Sequence, residues 1–219
     1  MALNDLVLWG GAGQAKVLNE AFDKLALKLV LIVDNRKIVS PFLRVPVVFG
    51  KVGFRTWLGK YSGPGLSFAI AIGGSNGKAR IELADYLILN GLAELTITHP
   101  TSFVAKDAEI GSGCQILAMS SVCAYARIGR QVIVNTRASV DHECIIEDGV
   151  HVGPGAVLAG AVTVKKHAFI GAGAVVLPNL TIGENTIIGA GSVVTKSIAA
   201  NQVTFGNPAR SRPNNSIGS

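Results

Sequence analysis

His142 and Glu143 are neighbours in the chain. A carboxylate beside an imidazole orients the ring and raises its basicity, which is the arrangement of a general base. Asn135, Asp141 and His151 stand near them and interrupt a pattern that is otherwise apolar or small, so the five polar residues form the candidate reactive cluster. A base of this kind takes a proton from an attacking amine or hydroxyl, with no metal expected. Two glycine-rich turns point to a second task. Gly10-Gly11-Ala12-Gly13-Gln14 follows an apolar run and precedes a helical pattern. There, backbone N–H groups can approach an anion at a helix N-terminus. Asp34-Asn35 ends the next apolar run, where such folds hold a ribose or a base, and Gly73 closes a further strand-to-helix turn expected to line the same crevice. His167, within Lys165-Lys166-His167, reads as a surface residue.

The elements that must position these residues differ sharply between the two parts of the chain. From Val104 to Val194 an aliphatic residue recurs at every sixth position, sixteen times, and a mostly small residue follows four places after each. This period fits a parallel β-solenoid in which three hexapeptides, eighteen residues, close one triangular coil. Both repeated positions face inward, so Ile110 stacks beneath Ile128, Ile146, Val164 and Ile182. Each buried aliphatic contributes about 1.5–3 kcal/mol before entropy. Gly111, Gly129, Gly153, Gly171, Gly183 and Gly189 are expected to supply strained corner dihedrals. His142 and Glu143 fall at a corner. His151 sits between inward Val150 and Val152, so alternation turns it outward as a solvated side chain. It lies nine residues from His142, half a coil away, so the two can share a site only where subunits meet, most naturally in a trimer.

Residues 1–98 read as a shortened Rossmann-like α/β domain. Strands are expected at Asp5–Trp9, Leu29–Val33, Phe68–Ile72 and Glu94–Thr98. One helix buries Ala15, Leu18, Ala21, Phe22 and Leu25. Another, Lys78–Leu89, is capped by Ser75 or Asn76 and aligns Ile81, Ala84, Leu87 and Ile88. The domain is short for a dinucleotide and suits a mononucleotide. His99-Pro100 is the hinge into residues 99–219, the solenoid and its C-terminal tail.

Composition narrows the function classes. The 219 residues carry a net charge of +6, with 16% charged and 49% hydrophobic. A mean hydropathy of +0.43 raises the question of a membrane. No stretch reaches the roughly 18–20 apolar residues of a spanning helix, however; Leu25–Val33 is short and holds Lys28. Asp5 and the lack of a basic leader argue against a signal peptide. The positive charge is either a scattered solvated surface or an attraction for nucleotides and other polyanionic small molecules. Nucleic acid is not expected, because no basic patch is interleaved with aromatics. Cys114, Cys123 and Cys144 read as reduced cysteines of a cytoplasmic protein. A zinc lyase would need three convergent histidines, and His142, His151 and His167 are not stacked by eighteen.

The run Val134-Asn-Thr-Arg-Ala-Ser-Val-Asp-His142-Glu143-Cys, His151-Val-Gly-Pro-Gly-Ala156, Ile170-Gly-Ala-Gly-Ala174, Ile188 to Lys196 and Gly206-Asn-Pro-Ala-Arg210 together resemble the hexapeptide acyltransferase superfamily. More narrowly, they are similar to the nucleotide-sugar N-acetyltransferases of bacillosamine and perosamine synthesis and to sialic acid O-acetyltransferases. The resemblance spans the chain. It implies a left-handed β-helix behind the α/β domain, and acetyl-CoA-dependent acetylation of the 4-amino group of a nucleotide-linked amino-deoxy sugar, with UDP-2-acetamido-4-amino-2,4,6-trideoxyhexose favoured. It implies His142 as general base and Glu143 as its support, in a homotrimer with sites between subunits. His151 and backbone groups around Gly160, Ala172 and Ala190 would line the acetyl-CoA groove. Ala12, Gly13, Gln14, Asp34, Asn35 and Gly73 would hold the nucleotide, and Asn135 would join the substrate contacts. Lys16 and the Asp34-Asn35 pair depart from some relatives and leave the base open among uracil, guanine and thymine. The alternatives are sugar O-acetylation and a non-catalytic binding solenoid.

Overall fold

The computed structural model describes residues 4–213. Two compact units are present. One comprises residues up to Ile72 together with Glu82–Ile97, and the other Gly73–Ile81 together with the chain from Thr98. The sequence places Gly73–Ile81 in the first domain, whereas its contacts count it with the solenoid. Buried hydrogen bonds from Arg80 to solenoid carbonyls are the physical reason.

The first unit is a five-stranded parallel sheet. Its elements run β1 (Asn4–Trp9), α1 (Gly13–Phe22), β2 (Leu27–Asp34), β3 (Val47–Phe49), α2 (Gly50–Leu58), β4 (Leu66–Ile70), the part of α3 (Gly77–Leu89) from Glu82 onward, and β5 (Ala93–Glu94). The sheet order is β3-β2-β1-β4-β5. The chain reverses direction across the sheet at β1, so the glycine turn after Trp9 stands at the switch point where such sheets bind ligands. Trp9, Phe54 and Phe68 are fully buried, and Trp9, Phe54 and Tyr86 make tilted or edge-on ring contacts about the core. β3 and α2 lie in residues 36–66, where the sequence shows no clear period. The expected strand Glu94–Thr98 is instead two two-residue strands, Ala93–Glu94 and Ile97–Thr98. On α3, Leu83, Ala84 and Leu87 are buried while Ile88 is 44% exposed, which shifts the apolar face by one position. No helix among the described residues is long and apolar enough to cross a membrane.

The second unit is a parallel β-helix of two-residue strands. Three sheets run along it, one beginning at Phe103–Val104, one at Glu109–Ile110, and one containing Gln115–Ile116, and successive strands pair at eighteen-residue spacing. The predicted column is met: Ile110 pairs with Ile128, Ile128 with Ile146, Ile146 with Val164, and Val164 with Ile182. A single core of aliphatic and small residues, from Cys114 to Val194, fills the prism. The antiparallel hairpin Gln202–Gly206 and Ala209–Pro213 ends one sheet.

The corners correct one expectation. Positive φ falls on the residue three after the inward aliphatic, such as Arg137 at 59°, Glu143 at 58° and Ala161 at 57°, and not on the glycine that follows the aliphatic directly. Those glycines answer a steric demand. A Cβ at Gly153 would lie 2.6 Å from the Ile170 carbonyl oxygen, and one at Gly171 would lie 2.5 Å from the Ala190 nitrogen. Two backbones meet there, and neither can yield. Gly171→Ala should therefore destabilise the protein by about 1–3 kcal/mol in urea unfolding, as overpacking does. Gly173→Ala, with φ of 64° and open space around its Cβ, should lose about 1–2 kcal/mol of left-handed strain and no packing. A larger loss at Gly173 would reverse this account of the corners.

Candidate functional site

His142 occupies the corner between the strands Ser139–Val140 and Ile145–Ile146. The coil above and the coil below pin this corner. The Ala161 N–H donates to the His142 carbonyl at 2.9 Å, and the Glu143 N–H donates to the Ala124 carbonyl at 2.9 Å. Asp141 steadies the turn by accepting the His142 N–H on Oδ1 at 2.7 Å. The imidazole Nδ1 lies 3.0 Å from Glu143 Oε2. An ionised carboxylate can only accept, so the neutral ring donates Nδ1–H and keeps its lone pair on Nε2. That is the state of a general base ready to take a proton. The side chains of His142 and Glu143 are 56% and 63% exposed, open to a substrate.

Gly160 lies one coil along from His142, and a Cβ there would collide with ring atoms Nε2 and Cε1. The sequence places Gly160 among the backbone groups of a coenzyme groove; in the structure it seats the imidazole. Ala172 and Ala190 are exposed at stacked corners eighteen residues apart. Beside them Gly173 and Gly191 have nothing within 4 Å of a notional Cβ, so this column is open backbone.

His151 and Asn135 are a correction. The expected solvated histidine is 5% exposed. It does face outward from the prism, but the segment from Gly73 covers it: the Gly74 N–H donates to Nδ1 at 2.8 Å. The Asn135 side-chain amide lies 3.0 Å from Nε2, and Asn135 Oδ1 accepts the Thr136 N–H at 2.7 Å. Both ring nitrogens are engaged by protein groups. Burial pushes the His151 pKa down to about 4, and the nearby Arg80 cation pushes the same way. The five polar residues thus form two groups, with Asp141, His142 and Glu143 at one corner and Asn135 and His151 under the Gly73–Ile81 segment. The sequence reads His167 as a surface residue, yet its Nδ1 is buried and a Cβ on Gly149 would lie 2.6 Å from it.

Sequence reasoning missed Arg80, which is 0% exposed. Its guanidinium donates to the carbonyls of Gln131 at 3.2 Å, Gly149 at 2.6 Å and Val150 at 3.3 Å. Burial lowers its pKa to about 10. No signal along the chain separates this arginine from a solvated one.

At the glycine turn of the first unit, Asp34 Oδ2 accepts the Gly11 N–H at 2.9 Å. Asp34 Oδ1 accepts the Arg36 N–H at 2.9 Å and Arg36 Nε at 3.0 Å. Burial alone would raise the Asp34 pKa, but the bonds from Arg36 and Gly11 outweigh it and hold the carboxyl below its ordinary value. Asp34 therefore shapes the turn itself. Ala12, Gly13 and Asn35 are exposed and Gln14 is half-buried around it, while Gly73 belongs to the second unit.

Burial works against a thiolate at Cys144 and at Cys123. Cys144 is buried, donates to the Ala159 carbonyl at 3.2 Å, and has its pKa pushed up to about 11 by burial. Burial likewise raises Cys123. Among the described residues, no three His, Cys, Asp or Glu side chains converge in a metal-ligand group.

A coiled prism of hexapeptides carrying one exposed, carboxylate-held imidazole defines a transferase of the hexapeptide class. The family model for bacterial transferase hexapeptide (six repeats) matches residues 161–196. GDP-perosamine N-acetyltransferase of Escherichia coli O157:H7 is 40% identical over 102 residues, 47% of this chain and 45% of that protein. The match thus spans less than half the length of that relative. PerB from Caulobacter crescentus, solved with CoA and GDP-perosamine, superposes with a TM-score of 0.86 at 33% identity, over 96% of this chain and 98% of that one. The acetyltransferase domain of PglB from Neisseria gonorrhoeae FA1090, solved with acetyl coenzyme A, gives 0.85 at 28% identity, over 96% of this chain and 100% of that one. The chain belongs to the family of hexapeptide-repeat N-acetyltransferases that contains PerB.

Gly160→Ala should unseat the ring and lower kcat by roughly 10²-fold, while the protein stays folded by circular dichroism. Normal turnover in this variant would contradict the seat. The depressed pKa of His151 also sets a pH dependence. The folded state favours the neutral ring more than the unfolded state does. Stability is therefore fully present above pH 6.5 and falls as pH drops toward about 4. The Tm should decline over that window, and less so in His151→Asn. An equal decline in the variant would move the effect to another group.

Proposed function

We propose that the chain is an acetyl-CoA-dependent N-acetyltransferase acting on the 4-amino group of a nucleotide-linked deoxy sugar. The observation that carries this reading is the His142 imidazole, held at Nδ1 by Glu143 at 3.0 Å with Nε2 left to receive a proton. The sugar amine attacks the thioester carbonyl carbon, forming the C–N bond as Nε2 takes the amine proton. The tetrahedral oxyanion then collapses, the C–S bond breaks, and the departing CoA thiolate recovers that proton from the imidazolium. The thioester is already activated, so no acyl-enzyme is needed. Gly160 lies under the ring, and its N–H has no partner among the described residues. It is the oxyanion donor in this scheme.

Ala172 and Ala190 form the proposed coenzyme wall, a strip of backbone that a pantetheine arm can lie along. Ala12, Gly13, Gln14, Asn35 and Gly73 remain the proposed nucleotide contacts, with Asp34 holding the turn. The resemblance drawn from the sequence motifs favours a UDP-linked trideoxyhexose. PerB binds GDP-perosamine, so a GDP-linked 4-amino sugar stands first here and the UDP-linked sugar second. We also place the chain in a homotrimer. Phe103, Tyr125, Val157 and Leu177 lie on the sheet that leads into the His142 corner or on that corner's own column, and they are 59%, 67%, 39% and 40% exposed. A second copy is the partner that would cover them beside the base. Three free cysteines fit a cytoplasmic location.

The test is CoA release against a panel of GDP-, UDP- and dTDP-linked 4-amino sugars, together with His142→Asn. The variant should bind acetyl-CoA as before and lose about 10²–10⁴-fold in kcat. Near-normal turnover would remove His142 as the base. CoA release with hydroxyl sugars alone would make the enzyme an O-acetyltransferase.

A further inference from the structure

We infer that His151 is a positioning residue that holds the loop Gly73-Gly74-Ser75-Asn76 in the orientation that receives a nucleoside-diphosphate sugar. The inference rests on the N-acetyltransferase reading and gives one of its expected coenzyme contacts a different task. Three observations point to it.

First, the Gly74 N–H donates to His151 Nδ1 at 2.8 Å, and the histidine is 5% exposed. A buried acceptor of this kind is expensive to leave unpaired, so the loop and the ring fix each other. Second, Gly74 has φ of 70°. Two glycines in succession give this loop wide conformational freedom, and its working shape must come from contacts outside itself. His151 supplies one such contact. Arg80 supplies another, tying the start of α3 to the Gln131 and Gly149 carbonyls. Third, the far side of the His151 ring reaches the coil that carries the base. Its Nε2 lies 3.0 Å from the Asn135 amide, and Asn135 Oδ1 accepts the next residue's N–H. Phe169 packs against the ring with centroids 5.1 Å apart, closing the remaining side.

The path Gly74–His151–Asn135 thus ends on the coil that holds His142 seven residues later. Ser75 and Asn76 are exposed at the loop tip. Asn76 Nδ2 donates back to the Gly73 carbonyl at 2.7 Å, which shapes the tip from within. Such a linkage sets where the sugar stands relative to the base without touching either reacting atom, and small displacements there are costly to rate.

The experiment compares His151→Leu with His151→Asn in the full chain. The asparagine amide oxygen falls where Nδ1 stands, so it keeps an acceptor for Gly74; leucine fills the space without one. His151→Leu should raise KM for the nucleotide sugar roughly tenfold or more, leave KM for acetyl-CoA within about twofold, and speed hydrogen exchange at the Gly74 amide. His151→Asn should restore all three toward wild type. A rise in acetyl-CoA KM with Gly74 exchange unchanged would overturn the inference and return His151 to the coenzyme. If the wild-type protein turns over no nucleotide sugar at all, the functional reading fails by itself. Gly74 exchange, measured with GDP added, then still decides: protection lost in the leucine variant and kept in the asparagine variant supports the link, and equal protection in both removes it.

Discussion

The closeness of successive coils governs this molecule. Each two-residue strand bonds the strand eighteen residues on, as when Ser139 N–H reaches the Ala156 carbonyl at 2.8 Å and Asp141 N–H reaches Leu158 at 3.0 Å. Parallel ladders hold strands about 4.8 Å apart, and at some corners the backbones come so close that a Cβ would lie 2.6 Å from the Ile170 carbonyl oxygen at Gly153 and 2.5 Å from the Ala190 nitrogen at Gly171. That closeness selects glycine at Gly153 and Gly171. It also forces one residue per corner into the left-handed region, which costs about 1–2 kcal/mol for a residue with a side chain. Glu143 is such a residue, with φ of 58°. The ladder over-determines its conformation, and the carboxylate is thereby delivered to the imidazole of its neighbour.

The two histidines of interest show what surroundings make of one side chain. His142 is open to solvent, has a carboxylate on Nδ1 and leans over Gly160. Those features suit proton transfer to and from a visiting amine. His151 is buried against Phe169, accepts a backbone N–H and stands near the Arg80 cation. Protonating it would bury a second positive charge and cost it the Gly74 bond. It is accordingly neutral through the physiological range and serves as a link between a loop and a coil. Arg80 completes that junction with backbone carbonyls, a charge held where few charges are found.

Much of the fold was legible along the chain because the inward residues must be aliphatic at a fixed period, and Ile110 to Ile182 obey it in the structure. The corner pair was legible for the same reason: against so regular a background, His142-Glu143 stands out. What was not legible depended on distant chain. His151 reads as solvated because alternation alone turns it outward, and the segment that covers it lies about seventy residues earlier. Arg80 looks like any helix arginine until the carbonyls of Gln131 and Gly149 are found around it. The corner glycines read as dihedral devices, since a neighbouring coil cannot be seen from within one hexapeptide. Asp34 reads as a contact for a ribose or a base from its place at a strand end, and the Gly11 and Arg36 donors on its oxygens are visible only in the structure. Residues 36–66 hold β3 and α2 without a clean apolar period, and only Phe54 of α2 is fully buried.

The central claim is direct transfer from the thioester to the sugar amine with one imidazole as base, and steady-state kinetics test it most directly. Initial velocities are measured against acetyl-CoA at several fixed concentrations of the nucleotide sugar that the enzyme accepts. Direct transfer predicts double-reciprocal lines that intersect, because both substrates must be bound before the acetyl group moves. Parallel lines, with an acetylated protein trapped in the absence of sugar, would contradict it.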